Sequence, residues 1–111
     1  MAADLILLKS DVLGDADRDL GRLLIEVFLR NLAKRERLPK CIVLLNAGVR
    51  LATSGSPVIE HLRKLQELGV EIICCRTCVE YFRLEDKLAI GRTDGMVGIL
   101  ERLFTHEVLS L

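Results

Sequence analysis

Apolar residues fall in short continuous runs that alternate with longer stretches of helical spacing. Asp4 to Lys9 holds the run Leu5-Ile6-Leu7-Leu8 and stops at Ser10-Asp11, the pattern of a strand buried on both faces. After the turn-rich Gly14-Asp15-Ala16-Asp17, the residues Leu20, Leu23, Leu24, Val27, Phe28 and Leu32 recur at three and four. This predicts a helix from about Arg18 to Ala33 that buries those side chains, with Asp17 as N-cap and Asp19 favourably placed in its first turn. Pro39 breaks the chain before a second strand, Cys41 to Leu45, and a loop runs from Asn46 to Gly55. Ser56-Pro57 opens a helix through Glu67 that buries Val58, Ile59, Leu62, Leu65 and Leu68, and Gly69 closes it. A third strand covers Val70 to Cys74, and a short helix spans about Thr77 to Phe82. Leu88-Ala89-Ile90 is a brief fourth strand. Asp94 caps a last helix over Met96, Val97, Ile99, Leu100 and Leu103, and Glu107 to Leu111 makes a closing strand.

Strands that alternate with helices imply an α/β fold. The expectation is a single three-layer domain over residues 1–111, a mainly parallel sheet of about five strands with helices on both faces. The length of 111 residues fits one domain, and no linker, repeat or low-complexity segment interrupts it. The 16 basic and 16 acidic residues cancel, and Trp is absent, so neither phosphate attraction nor base stacking points to nucleic acid. Zero net charge and a mean hydropathy of +0.33 suit a chain that hides further apolar surface in a homo-oligomer. No stretch approaches the ~20 apolar residues of a membrane helix. The start, Met1-Ala2-Ala3-Asp4, lacks a basic leader, so a cytoplasmic location is expected. Four cysteines in that compartment, Cys41, Cys74, Cys75 and Cys78, read as catalytic, metal-binding or buried rather than as disulfides.

In open parallel sheets ligands bind beyond the carboxyl ends of the strands. Three such loops carry unusual residues: Ser10 to Asp17, Asn46 to Ser56, and Cys74 to Cys78. Cys75-Arg76-Thr77-Cys78 stands where an apolar strand runs into a helix. A helix start and Arg76 would both favour a thiolate on Cys75. Cys78, three residues on, shares its face and can exchange sulfur with it. Asn46 and the backbone near Gly48 would orient an incoming group, and the Ser10 and Asp11 loop would shield it. Cys74 alternates to the other side of its strand and Cys41 begins a buried one, so both read as core. Packing alone is a competing explanation of the whole cluster. Structural zinc lacks ligands, since His61 and His106 have no ligand spacing, and no metal or cofactor is expected. A thioredoxin-like redox pair is a further alternative, but Pro39 and Pro57 are both helix boundaries rather than a proline facing the thiols. Asn46-Ala47-Gly48 with Ser54-Gly55-Ser56-Pro57 could present backbone N–H groups to an anion, although turn geometry accounts for these glycines more simply.

These stretches together resemble the DsrE/DsrF-like sulfur-relay family, and most closely the C-terminal domain of its YedF-like branch, which is associated with selenium metabolism. The resembling segments are Ser10 to Asp17 with Leu20-Gly21, Leu45 to Ala52, Gly69 to Cys78, Leu88 to Gly91 and Val108 to Leu111. The resemblance implies a parallel-sheet domain that forms trimers or hexamers. It also implies a strand-end cysteine that accepts persulfide sulfur from a donor protein and passes it to an acceptor. That position matches Cys75, with Cys78 as its companion. YedF-like proteins carry an additional N-terminal sulfur-carrier domain, so the resemblance implies a cut-out domain or a stand-alone member. The expected function is a sulfur-relay protein with sulfurtransferase character. The alternative is a non-catalytic oligomeric module that binds a ligand or partner and keeps its cysteines inert.

Overall fold

The computed structural model describes residues 3–111. Its strands are β1 (Leu5–Leu8), β2 (Cys41–Leu44), β3 (Glu71–Cys75), β4 (Arg92–Asp94) and β5 (Val108–Ser110). Its α-helices are α1 (Arg18–Leu32), α2 (Ile59–Glu67), α3 (Arg76–Tyr81) and α4 (Met96–Thr105). The strands form one sheet in the order β4-β3-β2-β1-β5, and every neighbouring pair is parallel. The first four strands step in one direction, and the chain then returns to add β5 beyond β1. Right-handed crossovers with this order place α1 and α2 on one face and α4 on the other. The side chains agree. Ile6, Ile42 and Ile72 lie abreast on one face, where Gln66 of α2 reaches over to accept from the Gly91 N–H at 2.8 Å. Cys41 and Glu71 lie abreast on the other face, where Arg102 of α4 binds Glu71 at 3.1 Å. The three-layer α/β architecture is therefore as the sequence implies.

Local chemistry explains most element ends. Asp17 caps α1, its Oδ1 accepting from the Leu20 N–H at 2.9 Å. Gly69, at φ +102°, closes α2 with Val70 N–H bonded to Leu65 O and Gly69 N–H to Gln66 O, the Schellman arrangement. Other expectations are corrected. Asn46–Ala52 is a 3-10 helix rather than an open loop. Regular α2 begins at Ile59. Ser56 Oγ instead accepts from the Val58 N–H at 3.2 Å and closes a turn before the helix. Leu88 forms one antiparallel bridge with Thr53, and Gly91 at φ +75° turns the chain into the real fourth strand, Arg92–Asp94. Asp94 precedes the N-cap Gly95 and accepts from its N–H at 2.8 Å.

The buried face of α1 also differs. Gly21, Ile25, Leu29 and Leu32 are buried, whereas Leu20, Leu23 and Leu24 are exposed. Gly21 sets this rotation, because a Cβ there would meet Val12 Cβ at 2.8 Å. On α4 only Ile99 is buried, with Leu103 packed partly against the core.

α4 is tied down by charge. Arg102, largely buried, bonds Glu71, Asp94 and the Gly98 carbonyl, while Arg92 takes the other oxygen of Glu71. The Arg102 hydrogen bond holds the Asp94 carboxyl below its ordinary range. Replacing Arg102 with Ala should therefore raise the Asp94 carboxyl in a side-chain NMR titration and lower the melting temperature at pH 7. Because a depressed carboxyl stabilises above its unfolded-state value and loses that contribution as pH falls, the stability deficit should shrink toward acid. An unchanged Asp94 titration would refute this pairing.

Candidate functional site

β3 carries the thiols by alternation. Cys74 points to the Ile72 side and is fully buried, and Cys75 points to the Ile73 partner face and ends the strand. Cys75 then serves as the N-cap residue of α3, with φ −59° and ψ 120°, and contributes no capping side chain. Cys78 lies one turn into that helix. Its Sγ accepts from the Asn46 N–H at 3.1 Å, and it also hydrogen-bonds with Cys75. Asn46 is held at φ +55°, a left-handed conformation that Asn tolerates better than most residues, with its own Oδ1 accepting from the Ala47 N–H at 2.8 Å.

Access separates the two sulfurs. Cys75 is only 1% exposed, so the reachable strand-end thiol expected from sequence is sealed under its neighbours. Cys78 is half-buried and lines an open cleft of 360 Å³ with Asn46, Thr77, Tyr81 and Phe82. Tyr81 is 82% exposed and stands edge-on to Phe82 at 5.5 Å between ring centroids. The Arg50 guanidinium stacks on Phe82, 4.5 Å from the ring centroid.

The other expected site residues are dispersed. Arg76 lines a separate groove with Val79, Glu80 and Thr93, on the side where its charge acts on Asp94. Ser10 Oγ accepts from the Val12 N–H, and Asp11 pairs with Arg18. Gly48 is buried against the Leu8 carbonyl rather than open to a ligand. The structure thus joins Asn46, Cys75 and Cys78, and leaves Arg76, Ser10, Asp11 and Gly48 outside the cleft. Sequence reasoning missed Thr77, Tyr81, Phe82 and Arg50. Tyr81 and Phe82 were findable, since they follow Cys78 at helical spacings of three and four.

Burial pushes the Cys78 thiol up, the hydrogen bond with Cys75 adds to this, and the Asn46 N–H only partly offsets them. The resting thiol is therefore protonated at neutral pH. Iodoacetamide labelling of Cys78 should be slow at pH 7 and climb about tenfold per pH unit through the ordinary thiol range near 8.5. A rate that levels off below that range would contradict this environment. Cys41 and Cys74 are sealed in the core on opposite faces of the sheet. His61 Nε2 lies 2.9 Å from Glu26 Oε2, linking α2 to α1, and the ring of His106 contacts the Arg102 carbonyl. Among the described residues, no group of three or more His, Cys, Asp and Glu side chains is placed to hold a metal, and no helix is long and apolar enough to cross a membrane.

No protein-family model and no curated protein sequence matches the chain. Solved structures do. The chain shares its fold with the ychN protein of E. coli, at a TM-score of 0.70 and 15% identity over 99% of this chain and 100% of that one. The protein of unknown function MTH1491 from Methanobacterium thermoautotrophicum aligns at a TM-score of 0.67 and 20% identity, covering 96% of both chains. BT1422 from Bacteroides thetaiotaomicron, a conserved protein of unknown function, aligns at 0.65 and 21% identity over 96% of this chain and 93% of its own. At these identities the likeness establishes the architecture and its strand order, and leaves the chemistry to the residues.

Proposed function

We propose that this protein is a sulfur-relay carrier of the DsrE/DsrF-like kind, similar to YedF-like proteins, and that it moves persulfide sulfur through the Cys75–Cys78 pair. The observation that carries the reading is Cys78 at the wall of an open cleft, with a backbone N–H on its sulfur and a second thiol directly behind it. The sealed position of Cys75 sets the order of events. The Cys78 thiolate attacks the outer sulfur of a donor persulfide, the donor S–S bond breaks, and the donor leaves as a thiolate. An acceptor thiolate then attacks that outer sulfur and returns Cys78 to thiolate. Cys75 is the internal acceptor. It either takes the outer sulfur, or attacks the inner sulfur to give a Cys75–Cys78 disulfide and hydrosulfide. Donor and acceptor proteins are the partners, in a cytoplasm that keeps thiols reduced.

Peptide mapping by mass spectrometry after exposure to a persulfide donor tests the assignment. One added sulfur atom should appear on the Cys78 peptide, persist in Cys41→Ser and vanish in Cys78→Ser. Sulfur on Cys41, or none anywhere, would sink it. The upward-shifted Cys78 thiol favours a second reading, a partner-binding module in which the aromatic rim is the contact and the thiols stay inert. Absence of sulfur loading together with retained partner binding would select that reading.

The reading includes a homo-oligomer. Val97 and Phe104 are 87% and 86% exposed on α4, and Leu20, Leu23 and Leu24 are exposed on α1 across the sheet. Two unlike apolar surfaces on opposite faces suit head-to-tail contacts between copies that close into a ring. Phe104→Asp should reduce the light-scattering mass to that of one chain. A wild-type protein already monomeric at micromolar concentration would refute the assembly.

A further inference from the structure

A second pocket adjoins the thiol cleft. It encloses 210 Å³ and is lined chiefly by Asp11, Arg22, Arg50, Thr53, Gly55 and Ser56. Arg50 forms the partition. One flat face of its guanidinium rests on Phe82, whose ring lines the thiol cleft, while the residue itself lines this second pocket. Among the described residues Arg50 has no carboxylate partner, although the stacking holds its charge in place. A guanidinium fixed by its flat face leaves its edge free for two parallel hydrogen bonds to a carboxylate. Arg22 adds a second cation, whose partner Asp19 is an exposed neighbour that competes weakly. The one acid in the wall, Asp11, is already neutralised by Arg18 at 3.3 Å. Ser56 is buried, and its Oγ accepts from the Val58 N–H. Its hydroxyl proton has no acceptor among the described residues and is free to be donated to a ligand. Gly55 leaves the mouth open, since a Cβ there would meet no atom within 4 Å.

We propose that this pocket is a carboxylate-binding subsite, and that beside protein-bound persulfide it admits as sulfur donor a small thiol persulfide bearing a carboxylate, such as cysteine persulfide or glutathione persulfide. The inference rests on the sulfur-relay reading and names its substrate class. With the carboxylate on Arg50 and Arg22, the persulfide end crosses the Phe82 ring toward Cys78. The Cys78 thiolate attacks the outer sulfur of R–S–SH. The S–S bond breaks, its electron pair leaves with R–S⁻, and the proton stays on the transferred sulfur as Cys78–S–SH. No external oxidant or reductant enters this step.

Two measurements test it separately. Unreactive S-methylcysteine and S-methylglutathione report binding without chemistry. Either should shift the Arg50 side-chain Nε–Hε resonance saturably in the wild type, and Arg50→Gln should weaken binding at least tenfold. Arg22→Gln, on an exposed helix position, should weaken it less and guards against a folding defect at Arg50. Cysteine persulfide should load Cys78 at least tenfold faster than its carboxamide, and Arg50→Gln should erase that preference. Glutathione persulfide run alongside tells which of the two sources fits the pocket. No saturable shift, or equal loading from acid and amide, overturns the subsite while leaving relay from a protein-bound persulfide standing. Saturable binding at Arg50 with no sulfur on Cys78 from any donor keeps the subsite and overturns the relay.

Discussion

Gly48→Ala is expected to cost about 3 kcal/mol or more, read as a lowered midpoint in urea with an unchanged slope. A Cβ on Gly48 would collide with the Leu8 carbonyl oxygen, and the Ser10 backbone nitrogen lies close behind. Both are main-chain atoms of β1 and its exit, and β1 is a central strand, so neither can swing aside as a side-chain tip can. The same carbonyl already accepts the Leu45 N–H at 2.9 Å, so moving it also breaks the entrance to the 3-10 helix at Asn46–Ala52. That helix carries Asn46 onto Cys78 and Arg50 onto Phe82. One missing methyl group is thus what lets the second loop lie across the strand ends and build the cleft wall. Gly55→Ala is the control. A Cβ there meets nothing, so it should be neutral or gain about 0.5 kcal/mol through the unfolded chain. Equal effects at the two glycines would show that the close approach is not what the sequence protects.

This dependence on a single close contact shows why parts of the molecule were legible in the sequence and others were not. Strand and helix order followed from apolar runs and periodicity, because β1, β2 and β3 are buried on both faces and must be nearly all apolar. The separation of Cys74 from Cys75 followed from strict alternation along a strand. The α1 face did not follow. Its residues from Leu20 to Leu32 are apolar around much of the circumference, and hydrophobic spacing counts Gly21 as nothing. Yet Gly21 allows the close approach of the helix to Val12 and thereby sets the rotation. The short strand Arg92–Asp94 escaped notice because an edge strand with charged ends looks like a loop, and its neighbour Leu88-Ala89-Ile90 looks more like a strand. At the site, the sequence placed the thiols at a strand end but could not tell which was covered. Accessibility depends on what the loop after β2 packs against, and that is long-range information.

The two core thiols give the protein a steep alkaline limb. Burial, reinforced by the neighbouring Cys75, pushes the Cys74 thiol from an ordinary 9.0 up to about 12. Burial first, and then the charge of Glu71 against the opposing Arg102, pushes Cys41 up to about 11. In both cases the folded protein keeps its proton to a higher pH than the unfolded chain does, so unfolding releases a proton and rising pH favours the unfolded state. The contribution is complete below pH 9 and is lost as pH climbs through each folded-state value. Each thiol should remove about 1.4 kcal/mol per pH unit, close to 4 kcal/mol in all for Cys74, against a typical domain stability of roughly 5–15 kcal/mol. Unfolding free energy measured in urea from pH 7 to 11 should therefore fall steeply above pH 9. In Cys74→Ala it should start about 1 kcal/mol lower at pH 7 through the lost packing, and then fall less steeply by about 1.4 kcal/mol per pH unit. The two curves should cross, leaving the truncated core the more stable one near pH 11. Every other group is common to both proteins and cancels in the difference. Parallel curves would mean that Cys74 ionises as readily folded as unfolded, which a sulfur with no exposed surface at the centre of a dry sheet cannot do without drawing water into the core.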